Sequence, residues 1–185
     1  MVTESSGGRD MTLQLINPAS PASLAQVAEA ESTLGFRLPP EYTDWLTSVA
    51  NGSRVELATI DDRGMMGLTA VYGVGRTDDL NLTGHRQVFD YLFDSGMLPI
   101  GDSEGGNQVC LSLRPEDYGS VWFANHEFEP GIDPEALLWF AKDWADFAAR
   151  AEQPSYVTDP PELTGEARVW VDPEFARMLI EGKFE

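Results

Sequence analysis

Few side chains in this 185-residue chain are suited to chemistry, and their spacing limits what each could do. There is one cysteine, Cys110, and there are two histidines, His85 and His126. A zinc site needs Cys and His ligands in close groups, which one cysteine and two distant histidines cannot supply. His126 stands in Asn125-His126-Glu127, where an imidazole beside a carboxylate has the make-up of a general base. With a carboxylate from the turn at Asp102 it would describe a hydrolase, although a hydrogen-bonded loop histidine is the commoner use of such residues. No Gly-x-Ser-x-Gly elbow occurs, and Cys110 lies in the apolar run Val109-Cys110-Leu111, which suits a small buried hydrophobe. Asp102-Ser103-Glu104-Gly105-Gly106-Asn107 sets oxygens at alternate positions, as a calcium loop does. It lacks the length and the closing bidentate glutamate of such a loop, and its glycines suit a turn. Gly73-Val74-Gly75-Arg76 has neither the third glycine nor the Lys-Ser/Thr of a phosphate loop. Adjacent carboxylates such as Asp61/Asp62, Asp78/Asp79 and Glu116/Asp117 are expected by chance when 31 residues are acidic. These residues carry no enzyme signal, and neither a metal nor a cofactor is expected.

Charge narrows the partner. With 31 Asp and Glu against 12 Lys and Arg, the net charge is −19. Binding to phosphate backbones needs a basic footprint, and no Lys/Arg cluster occurs, so nucleic acid is excluded and anionic membrane is disfavoured. A basic protein is favoured, because opposite fields steer encounter. The acids that fall in expected loops are Asp61, Asp62, Asp78, Asp79, Asp102, Glu104, Glu127 and Glu129. They are the candidate partner-binding residues, with a solvated rim as the plainer reading of each.

The elements that must position these loops follow from periodicity. At 42% hydrophobic the chain can form a sizeable core, and a chain of this size buries roughly 70% of its unfolded surface. Residues 1–22 read as a flexible start containing a short strand or docking segment at Leu13–Ile16. Ser23 and Gln26 form a capping-box pattern for a helix whose buried side would hold Leu24, Val27, Ala28 and Leu34, with Gly35 as its stop. Pro39-Pro40 opens a second helix with the stripe Tyr42, Trp45, Leu46 and Val49. Strands are expected at 55–60, 65–74, 97–101, 108–113 and 120–124, and a helix at 85–93 with Val88, Tyr91 and Leu92 on one side. Residues 137–151 read either as one long helix or as a strand at 137–140 and a helix capped by Asp143; periodicity does not separate these. Trp45, Trp122, Trp139, Trp144 and Trp170 all lie in apolar stripes or strands; core packing suits at least three of them, and Trp170 is the one best placed at a surface or interface. Residues 153–185 form a Pro-rich extension with a short helix after Asp172-Pro173, expected to pack on the main domain at 23–152. Helices, then a strand meander, then helices argue for α+β. The start of the chain lacks a secretory signal and no apolar run reaches the ~18 residues of a membrane span, so a cytoplasmic location is expected.

Four segments in order resemble the SMI1/KNR4 family of the SUKH superfamily. They are Leu34-Gly35-Phe36-Arg37-Leu38-Pro39-Pro40-Glu41-Tyr42-Thr43-Asp44-Trp45-Leu46 with Asn51-Gly52; Leu98-Pro99-Ile100-Gly101 through Gly105-Gly106-Asn107; Val121-Trp122-Phe123 with His126-Glu127; and Ala141-Lys142-Asp143-Trp144-Ala145-Asp146-Phe147, with Trp144 where phenylalanine is usual. The resemblance implies helices packed on a curved, mostly antiparallel sheet, and a strand before Asp143. It also implies a non-catalytic protein. The resemblance further implies that many bacterial members are immunity proteins that bind and neutralise a cognate toxin, often a nuclease, while fungal members act in cell-wall synthesis and signalling. The expected function is thus stoichiometric occlusion of a basic toxin, the alternative being a regulatory or scaffold module. No contact residue transfers from the family, whose motif residues here specify turns and helix ends.

Overall fold

Ser23 begins the first helix by the reciprocal bonds its sequence offers. The Gln26 N–H donates to Ser23 Oγ at 3.3 Å and the Ser23 N–H donates to Gln26 Oε1 at 2.9 Å. In the computed structural model, which describes residues 13–59 and 67–150, the helix α1 spans Leu24–Leu34 and ends at Gly35. Its buried residues are Val27, Ala30 and Leu34, while Leu24 and Ala28, expected inside, face solvent. Pro39 and Pro40 open α2 at Pro40–Ser48, which buries Tyr42, Trp45 and Leu46. Val49 falls past the last turn and is exposed, because the chain there leaves the helical path toward the first long strand.

The strands are β1 (Leu15–Ile16), β2 (Ser53–Thr59), β3 (Gly67–Val71), β4 (Met97–Ser103), β5 (Gln108–Ser112), β6 (Val121–Ala124) and β7 (Leu137–Ala141). They form one open sheet in sequential order, every neighbouring pair antiparallel. Register shifts interrupt the β2–β3, β3–β4, β4–β5 and β6–β7 ladders, and such bulges bend and twist strands. The fold is α+β, as expected. The strand–helix reading of 137–151 is the one adopted: β7 is followed by α4 at Trp144–Arg150, capped by Asp143, whose Oδ1 accepts the Asp146 N–H at 2.7 Å.

Alternation along the strands sends side chains to two different cores. Leu98, Ile100, Val109, Leu111, Val121, Phe123 and Phe140 join the buried residues of α1, α2 and α4. At its centre Trp144 meets Tyr42 and Trp45 edge-on, each with ring centroids 5.4 Å apart, and stacks with Phe147 at 5.3 Å. The Trp144 Nε1–H is buried and finds no acceptor among the described residues. On the opposite face Met97, Cys110 and Ala124 gather with Leu92 in a smaller cluster, flanked by Phe89, Trp122 and Leu137.

That smaller cluster is roofed by a segment whose form differs from the expected single helix at 85–93. Residues Leu82–Arg86 make a 3-10 turn, Phe89 breaks the path, and α3 covers only Asp90–Asp94. The break resets the helical phase, so Leu92 and Phe93 point inward while Val88 and Tyr91 are exposed.

A buried asparagine clasps the ends of β2 and β3. Asn51 Nδ2 donates to the Val74 carbonyl at 2.8 Å, and the Val74 N–H donates to Asn51 Oδ1 at 2.7 Å. The backbones approach so closely that a Cβ on Gly73 would lie 2.3 Å from the Asn51 carbonyl oxygen. One on Gly52, whose φ is +80°, would lie 2.7 Å from the Gly73 nitrogen, so only glycine fits either position. Gly73-Val74-Gly75-Arg76 is therefore a structural contact, with Arg76 Nη1 donating to the Asn51 carbonyl at 2.6 Å. The residues 151–185, including Trp170 and the expected terminal helix, lie outside the described residues, as do 1–12 and 60–66. No helix among the described residues is long and apolar enough to cross a membrane.

Candidate protein-interaction surface

An antiparallel meander puts alternate connections at the same end of the sheet. The β4–β5 turn and the β6–β7 loop share one end, and there Gln108 of β5 is paired with both Asp102 of β4 and Ala124 of β6. Thr59 and Gly67, the residues that close the β2–β3 ladder, are paired at that end too, because Leu68 beside them pairs with Ser103. Asp61 and Asp62 belong to the intervening segment, outside the described residues.

Asn107 sutures the turn to the loop. Its Nδ2 donates to the Glu104 carbonyl at 2.9 Å, and its Oδ1 accepts the His126 N–H at 3.1 Å and lies 2.9 Å from His126 Nδ1. Since an amide oxygen only accepts, His126 must carry its proton on Nδ1 in this contact. The suture brings Glu104 and Glu127 onto neighbouring loops, both exposed. Glu129 follows in the same loop, exposed, its N–H donating to Asp133 Oδ2 at 3.0 Å. Asp102-to-Asn107 is thus a turn in which Gly105 and Gly106 take positive φ, and the Ser103 N–H donates to the Asn107 carbonyl at 2.9 Å. His126 has an amide rather than a carboxylate as its partner.

The remaining candidate acids are tied to cations within the fold. Asp78 accepts from Arg76, with Nε 2.7 Å from Oδ1, and that hydrogen bond holds its carboxyl below the usual range. Asp79 pairs with Arg54, and Arg54 also reaches Asp102 at 3.8 Å. Asp102 further accepts from the Tyr72 hydroxyl and from Gln108 Nε2. The His85 ring stacks on Tyr72 with centroids 3.9 Å apart, and its Nε2 lies 3.0 Å from the Asp79 carbonyl. These contacts fasten the β3–β4 connection to the sheet. Burial, reinforced by the Asp102 carboxylate, pushes the Tyr72 phenol far up, and burial does the same to the Cys110 thiol. Neither offers an anion for nucleophilic or base chemistry at neutral pH.

The sheet face away from α1, α2 and α4 carries a feature that sequence reasoning missed. Trp139 of β7 pairs with Trp122 of β6 and is 55% exposed, although the apolar run in which it lies gives no sign of that exposure. Trp122 is half-buried and fixed: its Nε1–H donates to Ser120 Oγ at 2.8 Å and to Asp117 Oδ2 at 3.0 Å, and the Arg114 guanidinium lies 4.7 Å from its ring centroid. Asp117 also accepts from Arg114 Nη2 at 2.6 Å and from Ser112 Oγ at 2.6 Å. Partial burial opposes its ionisation, but the hydrogen bonds from Arg114, Ser112 and Ser120 outweigh that and lower its pKa. The signal available in sequence was parity: Leu137 and Trp139 alternate with Leu138 and Phe140, so Trp139 and Phe140 face opposite sides of the sheet.

Among the described residues no group of three or more His, Cys, Asp or Glu side chains is placed to hold a metal ion. What the surface offers is shape, exposed aromatic area and negative charge. Comparison with curated proteins gives no match. The sequence model of the SMI1 / KNR4 family (SUKH-1) matches residues 21–150, which hold the three helices of the covered face and the paired tryptophans, and the chain belongs to that family.

Proposed function

We propose that this protein is an immunity-type protein that binds a cognate basic toxin and neutralises it by stoichiometric occlusion. Family membership makes protein–protein interaction the class of function. The observation that carries the finer reading is the acidic end of the sheet: Glu104, Glu127 and Glu129 are exposed on loops held together by Asn107, in a chain of net charge −19. Such a surface mimics a phosphate array and attracts a basic active site, for which a nuclease is the fitting class. The carboxylates of Asp78, Asp79 and Asp102 contribute field, but their arginine partners remove them from the foremost contact set.

The test is co-expression with the product of the adjacent gene, followed by titration of the purified pair. The expected result is rescue of growth, a 1:1 complex, and an inhibition curve that ends at one equivalent. Association should slow steeply between low and high salt, since steering is screened within ~8–10 Å. A stable complex with a harmless protein would assign the chain to regulation or scaffolding instead, and an association rate indifferent to salt would remove the role of charge.

A further inference from the structure

The paired tryptophans lie beside a loop that is tied along its length and still presents an isoleucine to solvent. In the loop that joins β6 and β7 the Asn125 N–H donates to the Ala136 carbonyl at 2.9 Å, the Asp133 N–H to the Glu129 carbonyl at 2.9 Å, and the Ala136 N–H to the Asp133 carbonyl at 3.2 Å. Ile132 at its tip is nevertheless 70% exposed. Between this loop and the sheet is an open cavity of about 340 Å³, lined by Arg114, Trp122, Ile132, Asp133 and Leu137 among others. Trp139 adjoins it through its pairing with Trp122. A fixed cavity with an exposed tryptophan and isoleucine at its border has the anatomy of an interface centre, where aromatic and Arg side chains carry most of the binding energy.

The rim tells what kind of partner fits. Residues 125–136 contain Glu127, Glu129, Asp133 and Glu135 and no Lys or Arg. A partner brought against this face must supply cations around an apolar centre, because like charges juxtaposed there would be repelled. From this geometry, and taking from the toxin reading only that the partner is a basic protein, we infer that the open face of β6 and β7 is its anchoring site. An apolar side chain of the partner enters the cavity between Trp122 and Ile132 and covers Trp139. Lysines or arginines beside it meet the four carboxylates of the loop.

The test uses the full-length protein and two synthetic hexapeptides, Arg-Arg-Leu-Leu-Arg-Arg and Glu-Glu-Leu-Leu-Glu-Glu, titrated at low salt and followed by NMR. The expected result is saturable shifts of the Trp122 and Trp139 indole N–H signals and the Ile132 amide with the arginine peptide alone. The variants I132S and W139S, both at exposed positions, should each weaken that binding at least about fivefold. Equal shifts with both peptides, or shifts confined to Glu104 and Asn107, overturn the inference. Shifts that appear on concentrating the protein without peptide assign the face to a second copy, and an indole of Trp139 already protected in the monomer assigns it to residues 151–185; either overturns it. The toxin reading fails separately: a 1:1 toxin complex indifferent to W139S sinks the anchor alone, whereas peptide binding with no toxin complex supports the anchor and sinks neutralisation.

Discussion

The two faces of the sheet are ordered by different forces. Under α1, α2 and α4 the centre is Trp144, wrapped by Tyr42, Trp45 and Phe147, and order there comes from apolar contact. On the other face the central indole, that of Trp122, is held by Asp117, Ser120 and Arg114, and its neighbour Trp139 is left in solvent. Packing of the first kind carries no charge to screen or titrate, whereas a charged clasp weakens with ionic screening and with protonation. The first face is built to hold the fold, and the second holds aromatic area in place without covering it.

The largest effect should come from the covered face. Trp144→Ala removes the hub of the aromatic cluster and should cost about 3–5 kcal/mol in urea unfolding. Trp144→Phe keeps most of the apolar body and deletes the unpaired N–H, so its cost should fall within about 1 kcal/mol. A phenylalanine variant as damaging as the alanine one would mean that the indole nitrogen is satisfied after all.

Next is the charged clasp. Asp117 has a folded pKa below its unfolded value, so its contribution is complete above the unfolded carboxylate pKa of ~3.9 and disappears as pH falls through the folded value. Asp117→Asn should therefore be less stable than the parent at neutral pH, with the two stability curves converging in acid. A constant gap down to the lowest pH would assign the loss to geometry rather than charge. The smallest effect belongs to Trp139→Ser, which should leave unfolding stability within about 0.5 kcal/mol, because an exposed side chain has few contacts to lose. A large loss there would show that the open face is closed in the native protein.

What was legible in the sequence was local. Ser23 with Gln26, Pro39-Pro40 and Asp143 announce helix starts through bonds made within a few residues, and each does what its chemistry requires. The meander follows from short strands separated by turn residues. The phase of residues 85–93 was not legible, because the segment is held by His85 stacking on Tyr72 and by Leu92 packing over Cys110, contacts between residues distant in sequence. Candidate acids divided for the same reason. Asp79 finds Arg54, 25 positions away, and no spacing rule anticipates that, whereas Glu127 and Glu129 stay exposed in their loop. Asn51-Gly52 reads as a helix end, but the role of Asn51 as a substitute strand partner for Val74 emerges only when two distant backbones meet.

The single thiol of the chain gives these ideas a clock. Cys110 lies fully buried beneath Leu92, its ionisation suppressed by its surroundings, so an alkylating reagent in the solvent reacts only during moments when that roof lifts. The labelling rate under native conditions thus counts those excursions, and adding a partner that seats on the neighbouring tryptophans would lengthen the interval between them.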